Sequence, residues 1–237
     1  LMKRPDVVVT RGTTFENAAH LSESYIENLK STYEGTRLGA QEIYGMVLER
    51  DEDALWVTEN IQYIQTIPPL THCIVALDPP VTHHKESAES GIIVGGRDAE
   101  GKGYVLQDYS GVFSPTQAVA KAVQAMNTHN AHAIVAEINN GGDFIQDLIK
   151  INHPDVRYIP VRANQSKYAR AQPIAALYEQ KRIYHLVCFP KLEEQMLTYT
   201  PKSTVSPDRL DALVWGLHTL FCSKKTVGIK QPKIWMV

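Results

Sequence analysis

The sequence predicts an α/β fold in which a mixed sheet is flanked by helices, preceded by a small, mainly helical N-terminal appendage. Three observations predict it. Strand-like runs follow one another near residues 72–78, 90–97 and 103–110, and helix and strand patterns then alternate to the end. Between the second and third runs, Asp98-Ala99-Glu100-Gly101-Lys102-Gly103 reads as a hairpin turn, so the sheet opens antiparallel. The 237 residues are 43% hydrophobic and 21% charged, an ordinary globular composition. That length accommodates one domain of about 150 residues with an appendage.

Taken in order, residues 6–10 read as a buried strand with nothing before it to pair with. Leu1 precedes Met2, so a fragment of a longer chain is expected. Ala18, Leu21, Tyr25, Ile26 and Leu29 fall at helical spacing and predict a helix over 17–29, and a shorter one is expected over 37–48 after Gly35. Residues 51–70 are acidic, then turn-like, and finish at Pro68-Pro69, which places the boundary between an appendage (1–68) and the main domain (69–237). In the main domain, Ser114-Pro115 reads as an N-cap with proline at the first helical position and opens a helix to about His129. Strand 132–137, helix 142–150, strand 156–161 and helix 169–180 follow. A short apolar segment at 183–189, a helix over 190–198 and a last helix over 208–221 complete the pattern.

Bulk properties exclude some functions. A net charge of −2 gives no global case for nucleic-acid binding, so any such contact must use local patches. Cys73, Cys188 and Cys222 are isolated, without CxxC spacing, which argues against zinc and for a reducing compartment. No apolar run approaches the roughly 20 residues needed to span a membrane, and no signal peptide is recognisable. A soluble intracellular protein is the expectation.

Three acids stand at chemically pointed places. Asp78 ends the apolar run 73–77 and is followed by Pro79-Pro80. Glu137 ends the run 133–136 and precedes Ile138-Asn139-Asn140-Gly141-Gly142. Asp211 lies in the opening turn of the last helix, one turn after Asp208. Each has a plain alternative: a turn residue for Asp78, a strand-end carboxylate for Glu137, a cap or capping-box acid for Asp208 and Asp211. Together, two strand-end carboxylates and a helix-borne one can converge at one sheet edge, where hard oxygen ligands suit Mg²⁺ or Mn²⁺. A glycine pair after Glu137 would let a substrate backbone approach closely. An antiparallel meander feeding strand-helix-strand units, with acids on its first strand, fourth strand and a late helix, is the topology of ribonuclease-H-like nucleases.

Other charged positions are candidates for holding a bound strand. The segment 155–182 carries Arg157, Arg162, Lys167, Arg170, Lys181 and Arg182 against Asp155 and Glu179, a local excess of four positive charges. Lys167 and Arg170 at a helix start can hold phosphates by charge and amide donors, although a solvated helix face carries such charges equally well. His83-His84 read first as solvated loop histidines and second as strand contacts near Asp78. Lys224, Lys225, Lys230 and Lys233 make the tail basic.

On these residues the chain resembles the large terminase subunit of tailed bacteriophages, from the lid of its motor domain through its nuclease domain. The resemblance runs through Val8-Val9-Thr10-Arg11-Gly12-Thr13-Thr14-Phe15-Glu16-Asn17, Tyr33-Glu34-Gly35-Thr36-Arg37-Leu38-Gly39, Leu77-Asp78-Pro79-Pro80 and 136–143. It continues through Ala169-Arg170-Ala171-Gln172-Pro173-Ile174 and on to Gln180, then Ser206-Pro207-Asp208-Arg209-Leu210-Asp211-Ala212-Leu213. It implies a packaging motor that pumps DNA into a procapsid and a nuclease that cuts the concatemer, in the cytoplasm of an infected or lysogenic bacterial host. Double-stranded DNA is the implied substrate. An ATPase domain, the small terminase subunit and the portal are the partners implied for the intact subunit.

The resemblance assigns Asp78, Glu137 and Asp211 as catalytic acids binding two Mg²⁺ or Mn²⁺ ions about 4 Å apart, with Asp208 as an auxiliary ligand. Lys167, Arg170, Arg162, His83 and His84 are the expected DNA contacts. No GxxxxGK[ST] occurs, so ATP hydrolysis is not expected of these residues. Two other readings keep the same fold: a Holliday-junction resolvase or ribonuclease, and a non-catalytic DNA- or portal-docking module.

Overall fold

The computed structural model of the chain describes residues 12–27, 43–45, 54–79, 89–138, 143–203 and 207–222. The expected strand at 6–10, most of the expected helix at 37–48, His83, His84, the Gly141-Gly142 pair and the lysine-rich tail lie outside the described residues. In place of one helix over 17–29, a 3₁₀ helix runs from Thr14 to His20 and a separate helical turn occupies residues 23–27. Each starts at its own hydroxyl cap. Thr13 accepts from the Glu16 amide and Ser22 from the Tyr25 amide, each at 3.3 Å, with Leu21 extended between them.

The strands are β1 (Gln62–Tyr63), β2 (Leu70–Asp78), β3 (Glu89–Asp98), β4 (Gly103–Asp108), β5 (Gly111–Val112), β6 (Ala133–Glu137), β7 (Tyr158–Val161) and β8 (Ile183–His185). The helices of the main body are α1 (Pro115–Thr128), α2 (Asp143–Asn152), α3 (Lys167–Glu179), α4 (Pro190–Thr198) and α5 (Asp208–Phe221). The sheet runs β1-β8-β4-β3-β2-β6-β7, with β5 paired to β3 off that path. The β2-β3-β4 meander is antiparallel, whereas β6 and β7 add parallel to β2 on one side and β8 and β1 add parallel beyond β4 on the other. This is the predicted mixed sheet, widened by β8 and β1.

Strand alternation sorts the core into two faces. Cys73, Val75, Leu77, Ile92 and Val94 face α1 and α2, where Val119, Ala122, Ile145 and Ile149 cover them. Ile74, Ala76, Ile93, Ala133 and Val135 face the opposite way, toward the layer of α3, α4 and α5. Ser114 caps α1 as expected, and a capping box completes it: its hydroxyl accepts from the Gln117 amide, and the Gln117 side chain accepts from the Ser114 amide.

The stretch 54–64, which precedes the expected boundary, packs on the edge of the sheet. Trp56 and Ile61 are buried in the core beneath α3 and α4, and Trp56 meets Tyr178 edge-on at 6.3 Å. The Tyr63 hydroxyl donates at 2.8 Å to Glu193, a buried carboxylate that also takes bonds from His185 and the Phe189 amide. These donors, with the Cys188 thiol at 3.3 Å besides, satisfy a charge that would otherwise be costly to bury. The bonds from His185, the Phe189 amide and Tyr63 hold the Glu193 carboxyl below its usual range although burial alone would raise it. Among the described residues no helix is long and apolar enough to cross a membrane.

Candidate active site

Asp78 is the last residue of β2 and continues the Ile74, Ala76 alternation, so its side chain projects toward the α5 face. Glu137 is the last residue of β6 and continues Ala133 and Val135, on the same face. Leu77 pairs with Ala136 in parallel register, which makes the two acids the next residues on neighbouring strands. The helix α5 lays its first turn over this edge and brings Asp208 and Asp211 with it. Asp78 and Asp211 are only 7% and 4% exposed.

Small residues make that close docking possible. Gly91 of β3 pairs with Asp78, and a β-carbon there would lie 1.9 Å from the Asp208 carbonyl oxygen and 2.9 Å from the Ala212 β-carbon. Further along α5, a β-carbon on Gly216 would meet that of Ala76 at 3.1 Å. The α5 N-terminus has no side-chain cap of its own. Pro207 occupies the cap position, and Gln195 of α4 accepts from the Leu210 amide at 3.0 Å. Asp208 is therefore the first helical residue rather than its cap.

The acids are electrostatically strained as a group. Burial above all, then the negative charge of Asp211, pushes the Asp78 carboxyl well above the ordinary carboxylate range; Lys167 opposes this, and Asp208 and Glu137 add to it. Asp211 is also raised, because its burial outweighs the hydrogen bond and charge of Lys167. Burial lowers Lys167, but its bond to Asp211 and the charges of Asp211, Asp78 and Asp208 hold it above its usual value.

Two of the acids, Asp211 and Glu137, are engaged by the protein's own donors. Lys167 donates to Asp211 Oδ2. Glu137 Oε2 accepts from the Trp215 indole at 2.9 Å and lies 3.7 Å from the Arg170 guanidinium, which itself stacks over the Trp215 ring at 4.4 Å. With these partners in place, no group of three or more His, Cys, Asp or Glu side chains among the described residues stands close enough to hold a metal ion. The donor set nevertheless fits a hard divalent cation in kind: carboxylate oxygens, those of Asp78 and Asp211 on buried acids, where burial and then the negative charge of Asp211 raise the Asp78 carboxyl. Lys167 engages one oxygen, Oδ2, of the Asp211 carboxylate.

The structure separates the expected DNA contacts. Lys167 is half-buried and turned to the acids. Arg162 is exposed and directly follows Val161, the register partner of Glu137. Arg170 departs from the expectation of a phosphate contact: it is 4% exposed, donates to the Gln165 carbonyl at 2.8 Å and faces Glu137. A charge at a helix start points to solvent only if its face is free, and α5 covers this one. His83 and His84 lie outside the described residues.

Sequence reasoning missed three participants. Trp215 lies one turn after Asp211 on the same face, a spacing that could have flagged it. Gly91 was legible only as strand punctuation. Arg209 was passed over as an unremarked neighbour of the acids, but it bonds Glu89 at 3.0 and 3.1 Å and Asp108 at 2.6 Å, tying the α5 start to β3 and β4.

Residues 75–220 match the family model described as the terminase RNaseH-like domain, which is more than half of the chain. No curated protein matches the sequence. Among solved structures, the large terminase from the thermophilic bacteriophage D6E superposes with a TM-score of 0.54 at 13% identity, over 85% of this chain and 53% of that one. The large terminase nuclease from thermophilic phage G20c gives 0.50 at 12% identity, over 69% of this chain and 95% of that one. The same nuclease with bound cobalt gives 0.52 at 11% identity, over 70% and 97%. This chain thus spans about half the length of the D6E large terminase. At these identities the likeness is one of fold.

Proposed function

The chain belongs to the terminase RNaseH-like domain family, and from that premise we propose that it is a metal-dependent endonuclease that cuts concatemeric double-stranded DNA during viral genome packaging. The observation that carries this reading is the convergence of Asp78, Glu137 and Asp211 on one face at one sheet edge, with the Asp78 carboxyl pushed up by burial and by its acidic neighbours. Cobalt and zinc bound by the phage G20c nuclease support a divalent-cation site in this family.

Asp78, Glu137 and Asp211, with Asp208 as auxiliary, would hold Mg²⁺ or Mn²⁺. A pair of such ions, when bound, activates an attacking water and stabilises the leaving 3′ oxygen. The protein's own residues set the frame. Gly91 lets α5 approach β3, which brings Asp208 and Asp211 beside Asp78. Trp215 and Arg170 fix the Glu137 carboxylate by an indole hydrogen bond and a buried guanidinium. Lys167 and Arg162 offer positive charge on the solvent side of the acids. Contacts of that kind engage phosphates and carry no base information, so binding should be salt-sensitive and weakly sequence-selective.

In the intact large subunit this domain would work beside an ATPase domain, with the small terminase subunit and the portal as partners. The assigning experiment is nicking of supercoiled plasmid in Mn²⁺ by the wild type and by Asp78→Ala. Loss of cutting in the variant is expected. Equal cutting by both proteins, or activity confined to four-way junctions or RNA–DNA hybrids, would overturn the assignment.

A further inference from the structure

Two cations face the acids, and they are held in different ways. Arg170 is fixed: it is buried, stacked on Trp215 and bonded to the Gln165 carbonyl, with its guanidinium 3.7 Å from Glu137. Lys167 is the first residue of α3, whose start is capped by the Ser166 hydroxyl accepting from the Ala169 amide at 3.2 Å. Its side chain is 41% exposed and reaches Asp211 on an unbranched four-carbon stem. It therefore has a path to solvent that Arg170 lacks. It engages Oδ2 of Asp211, and a divalent cation bound to the same carboxylate would lie beside the ammonium, where two like charges repel.

Resting on the nuclease reading above, we infer that Lys167 is an exchangeable counter-ion. Its ammonium neutralises Asp211 in the metal-free protein, is displaced when a divalent cation takes that carboxylate, and then faces the scissile phosphate. Arg170 and Trp215 stay in place and keep Glu137 oriented throughout. The arrangement explains how a buried acid cluster holds together before metal arrives.

The test follows the Lys167 amine directly. Wild-type protein is acylated with an amine-selective succinimidyl ester, with and without Mg²⁺, and modification at Lys167 is quantified by mass spectrometry. Mn²⁺ affinity is measured by calorimetry on the wild type, Lys167→Ala and Asp78→Ala. Labelling of Lys167 should rise several-fold with Mg²⁺. Lys167→Ala, shown folded by its melting transition, should bind Mn²⁺ about tenfold more tightly, since an opposing charge no longer competes. Metal binding with unchanged Lys167 labelling, or unaltered or weaker Mn²⁺ affinity in folded Lys167→Ala, would overturn the inference while leaving the nuclease reading intact. Should Lys167→Ala not fold, the labelling of wild type alone decides. Absence of Mn²⁺ binding by wild type, or equal binding by Asp78→Ala, would sink the nuclease reading and this inference with it.

Discussion

Replacing Gly91 by alanine adds one carbon at the point where α5 rests on β3. That β-carbon would lie 1.9 Å from the Asp208 carbonyl oxygen, and the backbone there must withdraw roughly 1.5 Å to reach the 3.4 Å of ordinary contact. The atom in the way is backbone at the start of a packed helix, so no side-chain rotation relieves it. Lost packing along α5 is expected to cost about 2–3 kcal/mol, reduced by the few tenths that alanine gains over glycine in the unfolded chain. The functional effect should be larger, because the same displacement moves Asp208 and Asp211 away from Asp78. Misplacement of a catalytic group by about 1 Å can cost on the order of a hundredfold in rate. Gly95→Ala, on the same strand, is the control: its β-carbon would meet only the Tyr104 carbonyl at 3.6 Å and Leu220 at 3.8 Å, both ordinary contacts. Urea denaturation and plasmid nicking in Mn²⁺ measure the two effects. A Gly91→Ala protein as stable and as active as Gly95→Ala would refute the claim that this close approach positions the acids.

Two further outcomes follow from the site. Trp215→Phe keeps an aromatic face for Arg170 but removes the indole donor to Glu137. A hydrogen bond to a charged group is worth about 1.5–3 kcal/mol, so nicking should fall at least about tenfold, with melting lowered modestly; unchanged nicking would show that this bond does not set Glu137. Asp78 and Asp211 have raised carboxyl pKa values in the folded state, through burial first, with Asp208, Glu137 and Lys167 as the charged groups around them. Between the unfolded value and the raised one, the folded state binds more protons than the unfolded state. Their contribution to stability is therefore present at low pH and lost as pH rises through the folded pKa values. The melting temperature of metal-free Asp78→Asn should consequently fall less than that of wild type as pH rises from about 4, and Mn²⁺ should raise the wild-type melting temperature more at higher pH, because bound carboxylates must lose their protons. Parallel curves for the two proteins would contradict the shift at Asp78.

Much of the architecture was legible in the residues. The Ser114-Pro115 signal started α1 where the capping box forms, and Pro190 and Asp208 marked the first residues of α4 and α5. Each of these is a local rule, enforced by backbone chemistry within one turn. The two strand acids were legible for the same kind of reason: an ionisable residue closing an apolar run has few inexpensive places to go. What escaped were features with no local signature. β1 is two residues long and exists because β8 offers an edge and Glu193 receives Tyr63. The expected helix over 17–29 is interrupted where Leu21 turns extended and the Ser22 hydroxyl caps a new helical turn.

Local sequence signals place three acids at the ends of two strands and the start of a helix, in an order that a mixed sheet can bring to one edge. Strand alternation then fixed their shared face, since a period of two leaves no freedom about which side Asp78 and Glu137 take. What surrounds them comes from packing between elements distant in the chain. Residues far apart in the chain, Gly91, Lys167, Arg170 and Trp215, set how near α5 comes, which carboxylate carries an ammonium and which a guanidinium. That separation turned Arg170 from an expected phosphate contact into a buried support for Glu137. Charge in the sequence says that a cation is present; whether it faces solvent or an acid depends on which helix covers it, and that is settled by packing.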